Sequence, residues 1–249
     1  MNFGLKLWST NQDTLPQAEQ LIKDDVFQYI ELTPIPGTEI DTFLSYDLPY
    51  TIHITTERHG LNIADKEKKD FNLETIQNCV EWADQLKANY LILHPGFGSI
   101  ASSIEFLECI DDKRVLIENM PKVGIADEVI VGYSPEQIFE LVGSKFGFCF
   151  DMNHAIKAAV SLNKDYKEYI KEFLKLSPSY FHISDGNLAN EKDEHLAIGE
   201  GNYDFEFLMQ YVTSMPSKYI TLETPRSNLE SFNEDFANLI KIKGNYSSF

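Results

Sequence analysis

The sequence predicts a single-domain (β/α)8 TIM barrel spanning residues 1–249. Three observations carry that reading. Eight short runs dense in β-branched and aromatic side chains are separated mostly by longer amphipathic stretches, the strand–helix alternation of a parallel barrel. The segment after the first run, WSTNQDTLP, contains no glycine, whereas a doubly wound nucleotide-binding sheet places a glycine-rich loop there. No Pro/Gly/Ser-rich linker, low-complexity tract or short repeat divides the chain.

The elements follow in order. FGLKLWS (3–9), YIELTPI (29–35), YTIHIT (50–55) and YLILHP (90–95) read as the first four strands. Between the third and fourth, LETIQNCVEWADQLKA (73–88) repeats apolar residues every three or four positions and reads as a helix. RVLIENM (114–120) is the fifth strand. SPEQIFELVG (134–143) then supplies a helix with Ser134 as N-cap, Pro135 in the first turn and Gly143 as the stop. FGFCFDM (146–152) is the sixth strand, followed by one helical stretch from Ala155 to Leu176. YFHISD (180–185) and YITLETP (219–225) complete the strands, and Leu229 to Ile242 is the closing helix.

Hydrophobic residues make up 43% and aromatics 12%, ample for a large core. No apolar run reaches the roughly 18 residues of a membrane span. MNFGLKLWSTNQ lacks the apolar segment of a secretory signal, so a cytoplasmic protein with no membrane contact is expected. Cys79 and Cys109 fall in helix-like segments and Cys149 in a strand. Their spacing makes no C-x-x-C pair, and buried free thiols are expected. The net charge of −18 describes a self-repelling, soluble surface and argues against a broad basic face for nucleic acid.

Ligand-type side chains gather at one kind of position. His53 closes YTIH, His94 closes YLILH and His182 closes SYFH, while Glu118, Asp151 and Glu223 stand at the ends of VLIE, FCFD and ITLE. His154, Asp193 and His195 lie in the segments just beyond. In a barrel all nine converge on the C-terminal mouth, where active sites of this fold sit. Imidazoles and carboxylates bind zinc, manganese or iron, and a group of buried carboxylates without cations would be costly. Each residue alone has a plainer explanation, such as a hydrogen-bonded core histidine or, for Asp151 and His154, a helix cap and its neighbour. The set points to a multinuclear metal site. The sequence contains no G-x-S-x-G motif, phosphate-binding P-loop or catalytic-cysteine context.

The runs HPG, IENM, FDMNH, HISD, DEHLAIGEG and LETP, in this order, resemble endonuclease IV, the metal-dependent abasic-site nuclease family among the xylose isomerase-like barrels. The resemblance spans nearly the whole chain. It implies up to three zinc ions: His53 and His94 on the first, Glu118 bridging to a second held by Asp151, His182 and Glu223, and His154, Asp193 and His195 on the third. Glu223 and Glu118 would be the catalytic carboxylates, and the substrate damaged DNA or a smaller phosphoester. No protein partner is indicated. His59 matches nothing in the family pattern and is expected in a loop.

The departures are equally specific. Asp24 to Glu57 contains no Lys or Arg, and PIPGTEIDTFLSYDLP is acidic where the family keeps a basic DNA-reading segment. Ile54, Thr55 and Thr56 follow His53 where a tyrosine is usual, Gly186 and Asn187 follow HISD in place of a basic residue, and Glu194 replaces an arginine between Asp193 and His195. Phosphate contacts supply most affinity for DNA. The alternative is therefore a sugar or sugar-phosphate isomerase or epimerase of the same superfamily, working with one divalent ion on Glu118, Asp151, His182 and Glu223.

Overall fold

The computed structural model describes residues 1–214 and 219–246. The eight strands are β1 (Asn2–Trp8), β2 (Tyr29–Thr33), β3 (Tyr50–His53), β4 (Leu91–Leu93), β5 (Val115–Glu118), β6 (Gly147–Asp151), β7 (Tyr180–Ile183) and β8 (Tyr219–Leu222). All pair in parallel in chain order, and β8 returns to β1 through the register Asn2↔Tyr219 to Gly4↔Thr221, closing the barrel. Each expected strand is present; β1 is shifted one residue toward the N-terminus, and the others are trimmed by two or three residues where the chain turns into the loops. The described helices are α1 (Leu15–Lys23), α2 (Asp41–Leu44), α3 (Lys69–Gln85), α4 (Ile100–Leu107), α5 (Pro135–Val142), α6 (Met152–Ser161), α7 (Tyr166–Leu174), α8 (Phe205–Ser214) and α9 (Asn233–Tyr246). None of them is long and apolar enough to cross a membrane.

Local chemistry sets the boundaries. Ser134 caps α5 by accepting from the Gln137 amide, Pro135 opens the helix, and Gly143 ends it at φ 52°. The stretch expected as one helix from Ala155 to Leu176 is two. Asn163 takes a left-handed conformation (φ 54°) that stops α6, and Asp165 caps α7 through the Glu168 amide. The closing helix begins at Asn233, four residues after Leu229, because Ser227–Phe232 is spent on a turn. Cys79 and Cys149 are buried free thiols, but Cys109 is exposed, since α4 stops at Leu107 and the chain turns outward there.

The main core lies between the sheet and the helix ring, and a second, smaller cluster fills the barrel interior. Strand alternation sorts that interior into levels, two of which lie at the mouth and directly beneath it. The lower one holds Gly4, Tyr29, Thr51, Ile92, Leu116, Cys149, Tyr180 and Thr221, with the Tyr29 and Tyr180 hydroxyls both bonded to Thr221 Oγ1 at 3.0 and 2.9 Å. Gly4 is required by its neighbour: a Cβ there would lie 2.3 Å from Cε2 and Cζ of the buried Tyr29 ring. Tyr29 cannot swing away, because Tyr180 and Tyr219 pack on it at centroid distances of 5.9 and 5.1 Å. Gly4→Ala is expected to lower unfolding free energy by about 1–3 kcal/mol, the usual cost of overpacking. Urea denaturation followed by fluorescence measures this, and an unchanged midpoint would mean the tyrosine stack yields more easily than its packing implies.

Candidate metal centre

Two residues further along each strand, the same alternation raises one polar side chain from every strand into the barrel mouth. In order from β1 to β8 they are Lys6, Glu31, His53, His94, Glu118, Asp151, His182 and Glu223. His154 joins them from the first turn of α6, and Asp193 and His195 from the loop between β7 and α8. The structure thus brings together all nine side chains singled out in the sequence.

Glu118 stands at the centre. Its Oε2 lies 3.4 Å from His53 Nε2 and 3.2 Å from His94 Nε2, and its Oε1 lies 3.0 Å from His182 Nδ1 and 3.4 Å from His154 Nδ1. His53, His94 and Glu118 form one set with ligand atoms within 4.8 Å of one another, and Glu118, Asp151, His182 and Glu223 form a second. A third group lies at the rim, with Asp193 3.6 Å from His154 Nε2 and 3.3 Å from His195 Nε2. Asp151 also falls within 4.8 Å of both histidines of that group.

The imidazoles are oriented before any ion arrives. The Nδ1 of His53 donates to the Ile54 carbonyl at 2.9 Å, that of His94 to Glu57 Oε2 at 3.1 Å, and that of His154 to the Asn119 carbonyl at 2.9 Å. In each case the neutral ring would turn its Nε2 lone pair inward. His182 is reversed: Nε2 donates to Glu31 Oε2 at 3.0 Å and Nδ1 faces Glu118. Asp151 is indeed a helix cap, as its plainer reading has it. One oxygen receives the His154 amide at 2.7 Å and the other is free for the mouth.

The residues fit divalent ions on three grounds. Glu118 Oε2, Asp151 Oδ2 and His195 Nε2 are buried polar atoms with no hydrogen-bond partner, and all three face the cluster. Burial pushes the Asp151 carboxyl up to about 6, with Glu118 and Glu223 adding repulsion against the pull of His154. Burial would likewise hold His94 neutral, yet Glu118 and Glu57 raise it to about 10, so without metal the carboxylates draw protons onto the imidazoles. Among the described residues, Glu31, Glu57, Glu118, Asp151, Asp193 and Glu223 crowd around one fixed cation, Lys6, and divalent ions would offset the negative charge that remains.

Several contributors escaped the sequence reading. Lys6 and Glu31 occupy the strand-end position on β1 and β2, and strand alternation alone could have found them. Asp185 is the post of the next loop, accepting from the amides of Gly186, Gly199, Gly201 and Tyr203, so GEG (199–201) is a wrapped turn. Glu194, in the place of an expected arginine, points inward to Lys157 Nζ at 2.8 Å and the Asn187 amide at 2.7 Å. This clasp holds the loop that carries Asp193 and His195. Arg226 is also turned inward, with its side chain 2% exposed beside Asp235 and against the rings of Trp8 and Phe232. His59 is exposed in the turn after β3, as expected of a loop residue.

Comparison with known proteins gives a consistent picture. A family model described as the xylose isomerase-like TIM barrel matches residues 20–242. A probable endonuclease 4 from Mycoplasmopsis pulmonis is 29% identical over 188 residues, covering 66% of this chain and 67% of the relative. Endonuclease IV from Thermus thermophilus superposes with a TM-score of 0.69 at 18% identity, covering 97% of this chain and 99% of that one. A D-tagatose 3-epimerase-like protein superposes at 0.72 and 20%, covering 98% and 99%. Both structural likenesses speak to the fold.

If the cluster takes ions, metal removal weakens the fold. An ion held at 100 times its Kd adds about 2.7 kcal/mol, which at about 2–4 °C per kcal/mol raises Tm by roughly 5–10 °C per site. Calorimetric scans of chelator-treated protein with and without added zinc test this, and equal Tm values would count against the centre.

Proposed function

We propose that this chain, which belongs to the xylose isomerase-like TIM barrel family, is a metal-dependent phosphoesterase with three ion sites. His53 and His94 would hold the first, Asp151, His182 and Glu223 the second, and His154, Asp193 and His195 the third, with Glu118 available to the first two. The observation that carries the reading is the third group. A one-ion isomerase needs only Glu118, Asp151, His182 and Glu223, and gains nothing from Asp193 and His195 held against His154 by a dedicated loop. Zinc is the first candidate, with manganese and iron accepted by the same ligands.

Bound divalent ions would neutralise a phosphate and acidify an attacking water. The side chains would divide the remaining tasks. Glu118 presents one oxygen to the His53–His94 pair and the other to the His182 side, the disposition of a bridging carboxylate. Glu223 directs Oε2 toward His182 Nδ1 at 3.6 Å and His195 Nε2 at 3.9 Å, where it would accept a hydrogen bond from the water and orient it. His195, with 32% of its side chain exposed, marks the side from which a phosphate would enter, while His182 at the floor is sealed from solvent. The relatives designated endonuclease 4 support phosphodiester chemistry and make an abasic site in DNA the first substrate to test. The inward-turned Arg226 and Lys157, together with the Lys/Arg-free stretch from Asp24 to Glu57, favour a compact phosphoester over a long duplex.

The isomerase or epimerase reading retains one specific support. Glu118, Asp151, His182 and Glu223 form a buried set that is complete without the rest.

The deciding experiment is incision of a duplex carrying one abasic site by zinc-loaded protein at low salt, with undamaged duplex and chelator as controls. A panel of small phosphoesters and ketoses runs in parallel. His182→Ala is expected to remove turnover under either reading. His53→Ala separates them, with at least a roughly 100-fold loss for the multinuclear hydrolase and little change for a one-ion isomerase. Full phosphoesterase activity in the His53 variant would refute this assignment.

A further inference from the structure

An ammonium group among metal ligands calls for an explanation. Lys6 Nζ lies 2.5 Å from Glu31 Oε1 and 2.7 Å from Glu223 Oε1, with only 10% of its side chain exposed. Glu31 uses its other oxygen to accept from His182 Nε2 at 3.0 Å and from the Tyr180 hydroxyl at 2.6 Å. Four side chains from β1, β2 and β7 are thereby tied to β8 beneath the second set of ligands.

Each contact removes one choice that a ligand would otherwise keep. A free carboxylate can offer either oxygen or both, and with Oε1 committed to Lys6, Glu223 has only Oε2 for the mouth. A free imidazole can carry its proton on either nitrogen. Glu31 accepts a hydrogen bond from Nε2–H and so keeps the proton there, and the Nδ1 of His182 is turned toward Glu118, Asp151 and Glu223 at 3.0, 4.0 and 3.6 Å. Lys6 also neutralises a floor grouping of Glu31, His53, His182 and Glu223, whose ligand atoms all lie within 4.8 Å of one another.

We propose that Lys6 and Glu31 are a positioning pair for the second ion site, with Glu31 setting the tautomer of His182 and Lys6 restricting Glu223 to one oxygen. The inference rests on the metal reading above and concerns residues that reading does not use. Because the two charges cancel, the pair acts through orientation and not through the net charge of the mouth.

That distinction gives the test. Lys6→Met/Glu31→Leu leaves the net charge unchanged, and apolar replacement of a buried ion pair is commonly tolerated by the fold. Lys6→Met/Glu31→Gln also leaves it unchanged but returns an acceptor to His182. Zinc and cobalt titrations by calorimetry, with cobalt absorption reporting ligand geometry, read each class of site. Ring-nitrogen NMR of the zinc-saturated protein, in which the coordinating rings are neutral, reads the histidine tautomers. In the Met/Leu variant one class of site is expected to weaken by about 10–100-fold, as outer-layer partners usually cost, while the others hold within about twofold. His182 should lose its single Nε2–H tautomer in that variant, and the Met/Gln variant should recover it. Unchanged affinities in the Met/Leu variant, or an Nδ1–H form of His182 in the wild type, would overturn the proposal. A wild-type protein that binds no ion would overturn the metal reading itself, and this inference with it.

Discussion

Like charges crowded into one barrel mouth must be compensated, and that requirement organises the upper half of this molecule. Glu31, Glu118 and Asp151 are fully buried, and Glu223 and Asp193 are mostly so. Water cannot screen them there, and unpaired buried carboxylates cost several kcal/mol each. Part of the compensation is covalently built in as Lys6. Part comes from imidazoles that take up protons when nothing else is available. The three orphaned ligand atoms facing the cluster are what remains for an external cation to satisfy.

The cations around the mouth are disposed accordingly. Lys157 is sealed beneath the loop after β7, where it bonds the Asn187 and Asn190 carbonyls as well as Glu194. Arg226 lies against Trp8 and Phe232 and reaches Asp235 at the start of α9. Lys192 crosses to Asp127 and the Ile125 carbonyl. These three charges tie loops together, and on the proposed reading an anionic substrate would be met chiefly by bound ions. On that proposal a compact phosphate group reaching past His195 would suit the mouth better than a backbone gripped along its length.

The barrel was legible because a parallel strand buried on both faces needs a short, nearly continuous apolar run, and eight such runs stand in the chain. Helix boundaries were less legible. The break at Asn163–Asp165 depends on one residue adopting a left-handed backbone, which the apolar period of Ala155–Leu176 does not register. Cys109 misled for a related reason, since the periodicity of α4 continues past the point where its backbone bonding stops.

For the site, the sequence by itself determined which strand ends carry imidazole or carboxylate, because side-chain alternation and the polarity of a parallel barrel send all of them to one mouth. His53, His94, Glu118, Asp151, His182 and Glu223 follow from that rule, and so would Lys6 and Glu31 had the rule been applied to β1 and β2. Only the tertiary structure decided how these side chains act on one another. That Lys6 holds Glu223, that Glu31 reverses His182 relative to the other imidazoles, and that Glu194 turns away from the mouth all depend on contacts between residues as many as 217 positions apart. The first two exist only because β8 closes on β1, and no local pattern in the chain records a distance across the barrel.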